Sequence, residues 1–259
     1  MVSSVAAIDI HRIEAVASLG WQAPDTAWIG GWLLRAAEGW TGRANSVLPI
    51  GQPDRPLDEA LAAVREWYAG RGLPPRFQLP LPLCAGLDAV LARRGWSPYN
   101  PTLVRIAFVN RVLQRLGGPG SAEPVTLADA PTEAWLEAYH YRGGDRLPAI
   151  AAEVMMAADD PVFASVVVDG RVVGIARAVV DDDQHGEGWC GITALETAPD
   201  WRRRGIGRQL IRGVVDWAAD RGASLIYLQV MESNAAAHAM YDRLGFVTSH
   251  RYHYRTIAA

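Results

Sequence analysis

One constant self-offset constrains this chain more than any other feature of its sequence. Counting 150 residues forward, Trp67 meets Trp217, Arg71 meets Arg221 and Gly72 meets Gly222. With the same shift Pro49 meets Pro199, Gly95 meets Gly245, Trp96 meets Phe246 and Arg105 meets Arg255. Leu61, Val64 and Phe77 fall on Ile211, Val214 and Tyr227. A single ungapped register across residues 49–105 reads as a duplication. Residues 117–124, Gly-Gly-Pro-Gly-Ser-Ala-Glu-Pro, lack hydrophobic periodicity and read as a linker. They divide the 259 residues into a part spanning 1–116 and a part spanning 125–259.

The repeated unit reads strand, turn, helix, strand, helix, strand. In the second copy, residues 189–197 form a short apolar run bounded by turn signals, hence a buried strand. Ile206, Leu210, Ile211, Val214, Val215 and Trp217 recur at helical spacing, and Arg221-Gly222 stops that helix. A second strand follows over 225–230, then a helix that Ser233 or Asn234 caps and Gly245 ends. Tyr252 and Tyr254 alternate in a last strand over 247–257. A strand–helix–strand of this length favours parallel pairing with a right-handed crossover. Upstream, Asp169-Gly170 between runs 163–168 and 172–180 marks a hairpin. The expected class is α/β with a mixed sheet, antiparallel in front and parallel behind.

Composition narrows the function. A net charge of −3 and pI near 6.1 argue against nucleic-acid binding by phosphate neutralisation. Cys84 and Cys190 stand alone, without C-x-x-C spacing, so a disulfide framework or a cysteine zinc site is not expected. No run approaches the roughly 18 apolar residues that span a bilayer, and a cytoplasmic protein without membrane partner is the expectation. His250 and His253 fall on opposite faces of a strand, and no metal is expected.

Between the buried strand and the helix stands Arg202-Arg203-Arg204-Gly205-Ile206-Gly207-Arg208. A helix N-terminus offers unpaired N–H groups and partial positive charge, glycines let backbone approach an anion, and arginines add forked donors. These features suit a pyrophosphate. No G-x-x-x-x-G-K-[ST] is present, and no acidic residue sits where a dinucleotide fold places its ribose partner, so kinase and dehydrogenase readings lose support.

The run Leu195-Glu196-Thr197-Ala198-Pro199-Asp200-Trp201-Arg202-Arg203-Arg204-Gly205-Ile206-Gly207 resembles the coenzyme A signature of the GNAT N-acetyltransferase superfamily, R/Q-x-x-G-x-G/A after a strand. Asn234, Ala237, Tyr241, Gly245 and Phe246 are similar to its second block, N-x-x-A-x-x-x-Y-x-x-x-G-F. The resemblance covers 125–259 and implies the acyl-CoA N-acyltransferase fold, duplicated here with a degenerate first copy. It implies acetyl-coenzyme A as co-substrate, with its pyrophosphate on the amides of Arg203, Arg204, Gly205, Ile206, Gly207 and Arg208 behind Arg202. The edge from Leu195 to Thr197 and the second-block residues Asn234 and Ala237 would hold pantetheine, and Tyr241 would protonate the departing thiolate. The first copy has Gln52-Pro53-Asp54-Arg55-Pro56-Leu57 opposite Arg202–Gly207 and Leu91 opposite Tyr241, so no coenzyme A site is expected there.

The base is harder to place. The resemblance implies a base early on the strand, where Trp189, Gly191 and Thr193 cannot serve, or at a second position that Gln229 fills here. Glu196 is the nearest carboxylate, with Glu187, Glu232 and His185 behind it. Trp135, Tyr139, His140 and Tyr141 cluster at helical spacing and, with Tyr252 and Tyr254, are candidates for an acceptor pocket. The expected reaction is direct acetyl transfer to a primary amine of a small molecule or amino acid, by a monomer or homodimer. The alternatives are acetylation of a protein N-terminus or lysine, and a non-catalytic acyl-coenzyme A sensor.

Overall fold

The computed structural model describes residues 8–118, 124–144 and 146–257, so most of the expected linker, residues 119–123, lies outside the described residues. The first half runs α1 (Ile10–Gly20), β1 (Asp25–Ile29), β2 (Trp32–Ala36), β3 (Leu48–Pro49), α2 (Leu57–Ala69), β4 (Arg76–Leu81), α3 (Ala85–Arg93), β5 (Ser97–Phe108) and α4 (Val109–Leu116). The second half runs β6 (Val125–Ala128), α5 (Glu133–Glu137), α6 (Ile150–Met156), β7 (Val162–Val168), β8 (Arg171–Asp182), β9 (Gly188–Thr197), α7 (Ile206–Asp220), β10 (Ala223–Met231), α8 (Ala235–Arg243) and β11 (Val247–Thr256). Strands β1–β3 form a small antiparallel sheet. The other eight form one mixed sheet in the order β4-β11-β5-β10-β9-β8-β7-β6. Among the described residues only β9 and β10 pair in parallel within it, through the crossover helix α7, as the sequence predicts.

Element bounds follow the 150-residue offset closely: α3 spans 85–93 and α8 spans 235–243, while β5 begins at Ser97 and β11 at Val247. The two halves exchange strands. β5 lies between β10 and β11, and β11 lies between β4 and β5. Where β5 meets β11 the register is symmetric under the offset, because Val247 opposes Ile106 and Thr256 opposes Ser97. Two buried arginines repeat the exchange. Arg105 donates to the Phe246 carbonyl at 2.8 Å, with His238 Nδ1 at 3.4 Å. Arg255 donates to the Trp96 carbonyl at 2.7 Å and to Asp88 at 2.5 Å. Each pair of equivalent positions, 105 and 255, 96 and 246, 88 and 238, differs by 150.

Helices cover both faces of the large sheet. Leu210, Ile211, Val214 and Val215 of α7 and Val112 and Leu116 of α4 bury one face. Ile13, Val16 and Ala17 of α1 cover Trp189, Tyr227 and Tyr252 on the other. Arg208 and Arg212 of α7 donate to the Leu116 and Gly117 carbonyls at 2.6 and 2.5 Å, placing cations at the negative end of α4.

Beneath α1, Asp181 Oδ2 is buried without a hydrogen-bond partner, and burial pushes its carboxyl up to about 6. A raised folded pKa means that the folded state holds the proton where the unfolded chain has released it, so stability falls as pH rises through that interval. Asp181→Asn is therefore expected to add on the order of 2–3 kcal/mol above about pH 6, fading to nothing below about pH 4. Urea unfolding at pH 4 and pH 8 checks this; an equal effect at both would show that ionisation of Asp181 is not the cause.

Candidate active site

The site forms where the parallel pair opens. Pairing of β9 with β10 runs from Gly188 opposite Ala223 to Ile192 opposite Leu228 and stops. Beyond that point β9 stays with β8 as far as Thr197, and β10 stays with β5 as far as Met231. The strands diverge, leaving the β9 edge from Thr193 to Thr197 facing the gap. At the fork Ala194 takes a φ of 50°, and the β8–β9 register shifts between Ile175 and Arg177. The bulge brings Glu196 onto the face that carries Thr193, while Leu195 packs on the α7 side.

α7 begins at the mouth of this gap. Arg202, Arg203, Arg204 and Gly205 are exposed, and no side chain caps the first turn. Arg203 and Gly205 have φ of 65° and 88°, a conformation that favours glycine at 205. A Cβ at Gly207 would lie 3.4 Å from Met240 Sδ and 3.8 Å from Thr197 Oγ1, so bare backbone faces the end of β9 and helix α8. Arg204 stacks over Trp201 at 4.7 Å, and Arg202 Nε reaches the Thr197 carbonyl at 3.3 Å. Uncapped amides, a glycine approach and unpaired strand edge together fit a pyrophosphate with an extended arm. The Arg208 side chain is tied to α4, leaving only its amide for an anion.

Across the gap, Tyr241 of α8 is 6% exposed, with its ring 5.5 Å from Phe246. Burial pushes its phenol above the ordinary tyrosine range. Asn234 Oδ1 accepts from Ala237 N at 3.2 Å. Its oxygen therefore acts as the α8 cap, one of the two that the sequence offers, and Ser233 does not replace it. The Ala237 amide is committed to the same bond.

Glu196 accepts from the His140 backbone N–H at 3.0 Å and lies 3.2 Å from His140 Nδ1. Both line a cleft of about 540 Å3 with Ala138, Gly174 and Pro199. Glu187 and His185 sit at the opposite end of β9; Glu187 pairs with Arg12 at 2.6 Å. Glu232 is exposed beyond β10, and Gln229 accepts from the Tyr252 hydroxyl at 2.9 Å. Tyr139, His140 and Tyr141 do not continue a helix, since α5 ends at Glu137. They still meet: Tyr139 and Tyr141 lie 6.5 and 5.7 Å from Trp40, a first-half residue. Sequence reading missed Arg177, fully buried in the apolar strand β8, which donates to Thr193 Oγ1 at 3.4 Å at the fork. A lone arginine inside Val-Val-Gly-Ile-Ala-Arg-Ala-Val-Val was its available signal.

In the first half, the loop before α2 is closed. Gly31 N donates to the Gln52 carbonyl at 2.7 Å, and a Cβ at Gly30 would meet Asp54 N at 2.4 Å. The β1–β2 turn thus packs onto the segment that corresponds by offset to the exposed loop of α7.

Comparison with known proteins agrees with this geometry. Residues 7–255 match the family described as "Probable histone acetyltransferase Rv0428c C-terminal". The chain is similar to the probable histone acetyltransferase Rv0428c of Mycobacterium tuberculosis, 32% identical over 251 residues, covering 95% of this chain and 73% of that protein. A GCN5-related N-acetyltransferase from Kribbella flavida shares the fold with a TM-score of 0.70 at 20% identity, covering 98% of this chain and 97% of the other. A tandem GNAT protein from the clavulanic acid biosynthesis pathway gives 0.61 at 16% identity, covering 95% and 87%. The divergent β9–β10 pair, the open loop of α7 and these matches lead to one assignment: the chain belongs to the Rv0428c C-terminal family of acetyltransferases and has the fold of GNAT-type N-acetyltransferases.

Proposed function

We propose that this enzyme moves the acetyl group of acetyl-coenzyme A directly to a primary amine of a small molecule or amino acid. The divergence of β9 and β10 beside an exposed, uncapped helix start carries this reading. Coenzyme A supplies the acetyl group as a thioester. The amides of Arg203 to Arg208 take the pyrophosphate, and the Leu195–Thr197 edge pairs with the pantetheine arm as a further strand would. An amide of that edge polarises the thioester carbonyl. Glu196, steered by His140, accepts the proton of the incoming amine, and Tyr241 returns one to the leaving sulfur. Cys84 and Cys190 are buried and their thiols pushed up, Cys84 to about 12, which favours direct transfer over an acyl-cysteine step.

The first half is, in this reading, a duplicated copy whose phosphate loop has closed and whose remaining task is to shape the acceptor side. The symmetric β5–β11 register and the reciprocal arginines support it. A second reading, a protein lysine or N-terminus as acceptor, is favoured by the name of the Mycobacterium relative.

Gly207→Asp places a carboxylate where the phosphates bind and is expected to weaken acetyl-coenzyme A binding by at least about a hundredfold, since like charge replaces a charged hydrogen-bonding cradle. Calorimetric titration of wild type and variant measures it. Equal affinity in both, or no binding by the wild type at millimolar ligand, removes the assigned cradle.

A further inference from the structure

Residues 37–46 of the first half form a tightly tied loop over the fork. Glu38 and Thr41 have φ of 48° and 59°, left-handed conformations uncommon for such residues and concentrated at functional sites. Buried Asn45 holds the loop: its Oδ1 accepts from Ala37 N and Gly39 N at 2.8 Å, and its Nδ2 donates to the Trp40 and Thr41 carbonyls at 2.6 and 2.9 Å. Trp21 Nε1 adds a bond to Thr41 Oγ1 at 3.1 Å. What this loop presents is Arg43.

The Arg43 guanidinium lies 4.8 Å from the Trp21 ring, and Arg177 lies 5.3 Å from the same ring. The Trp21 ring therefore has two cations against it, one of which reaches Thr193 at the fork. Beside it stand Trp40, at 5.6 Å from Trp21, and Tyr254, whose ring the Gly42 backbone approaches closely. The charge of Arg43 acts on the phenols of Tyr139, Tyr252 and Tyr254. Among the described residues the Arg43 side chain has this ring partner but neither a hydrogen bond nor an ion pair. A half-buried guanidinium in a rigid aromatic wall, without an anion of its own, is arranged to receive one from outside.

We propose that Arg43 anchors a carboxylate of the acceptor, so that the enzyme selects compact aminocarboxylates and disfavours basic peptide tails. The inference rests on the small-amine reading above and narrows it. A lysine side chain brings a second cation towards Arg43 and Arg177, whereas an amino acid brings the charge that Arg43 lacks.

The test measures thiol release from acetyl-coenzyme A with L-amino acids, with their decarboxylated amines (phenylalanine against phenethylamine as one pair), and with a basic histone-tail peptide. The expected result is a kcat/KM at least about tenfold higher for the carboxylate member of an active pair, as for a hydrogen bond to a charged group. Arg43→Gln should raise KM for that acceptor by a similar factor with little change in kcat or in acetyl-coenzyme A affinity. Arg43→Lys should recover most of the loss, which a merely structural role would not produce. Equal rates within each pair, an unchanged KM in Arg43→Gln, or a panel in which no carboxylate is acetylated overturns the inference. Turnover of the peptide alone overturns the small-amine reading with it, and failure of acetyl-coenzyme A to bind removes the acyltransferase reading beneath both.

Discussion

Tyr241→Phe is expected to lower kcat by about 10²- to 10⁴-fold, the range for loss of a positioned general acid, while acetyl-coenzyme A binds as before. The substitution removes one oxygen from a side chain that is otherwise held by packing against Phe246, so the wall of the gap keeps its shape. Burial raises the phenol pKa, so Tyr241 keeps its proton throughout the neutral range and has it available when the sulfur departs. No loss of kcat from phenol ionisation is therefore expected below about pH 10. Steady-state kinetics with an active amine, paired with titration of acetyl-coenzyme A, separates the effects. A kcat within threefold of wild type would assign the proton to water instead.

The second large effect concerns stability. Glu14 of α1 is 1% exposed, 2.8 Å from His250 Nε2 on β11 and 3.0 Å from Gln78 Nε2 on β4. Gln78 passes the contact to Arg35 at 2.9 Å, and Arg35 donates to the carbonyl and hydroxyl of Ser46 at 3.0 Å. Glu14→Ala removes the carboxylate from a buried chain that also holds a guanidinium, and is expected to cost about 3–5 kcal/mol. Glu14→Gln keeps hydrogen-bonding atoms in place and should cost less. Urea unfolding of both variants gives the comparison; an Ala variant within about 0.5 kcal/mol of wild type would mean that the network adds nothing net. Because Ser46 closes the loop that presents Arg43, the alanine variant should also weaken acceptor binding in its folded fraction.

Much of the second half was legible in the sequence because its signals are local. Apolar spacing marked α7, Gly245 marked the end of α8, and Gly205 and Gly207 marked the open loop. α3 and β5 fall at the same offset from α8 and β11. What stayed hidden depends on partners far apart in the chain. Glu14 and His250 are separated by 236 positions, and neither betrays the other by spacing. The interleaving of β5 and β11 is equally silent, since strand patterning alone does not fix which neighbours a strand takes. Nothing in the spacing around Arg43 singles it out, because its setting depends on Trp21 and Arg177, which lie elsewhere in the chain. Asn234 carries two readings: its position in the block points to a ligand, and its oxygen caps α8 as the local spacing allows.

The strand exchange also bears on how the protein comes off the ribosome. β4 and β5 are made early, yet the strand that joins them is β11, and 138 residues stand between Phe108 and Val247. Until β11 emerges, the facing edges of β4 and β5 have no neighbour to satisfy their backbone groups, and Arg255 cannot reach the Trp96 carbonyl. The half translated first is therefore the half completed last. A nascent chain stalled before Val247 would present open sheet edges to whatever chaperone or other chain met it first.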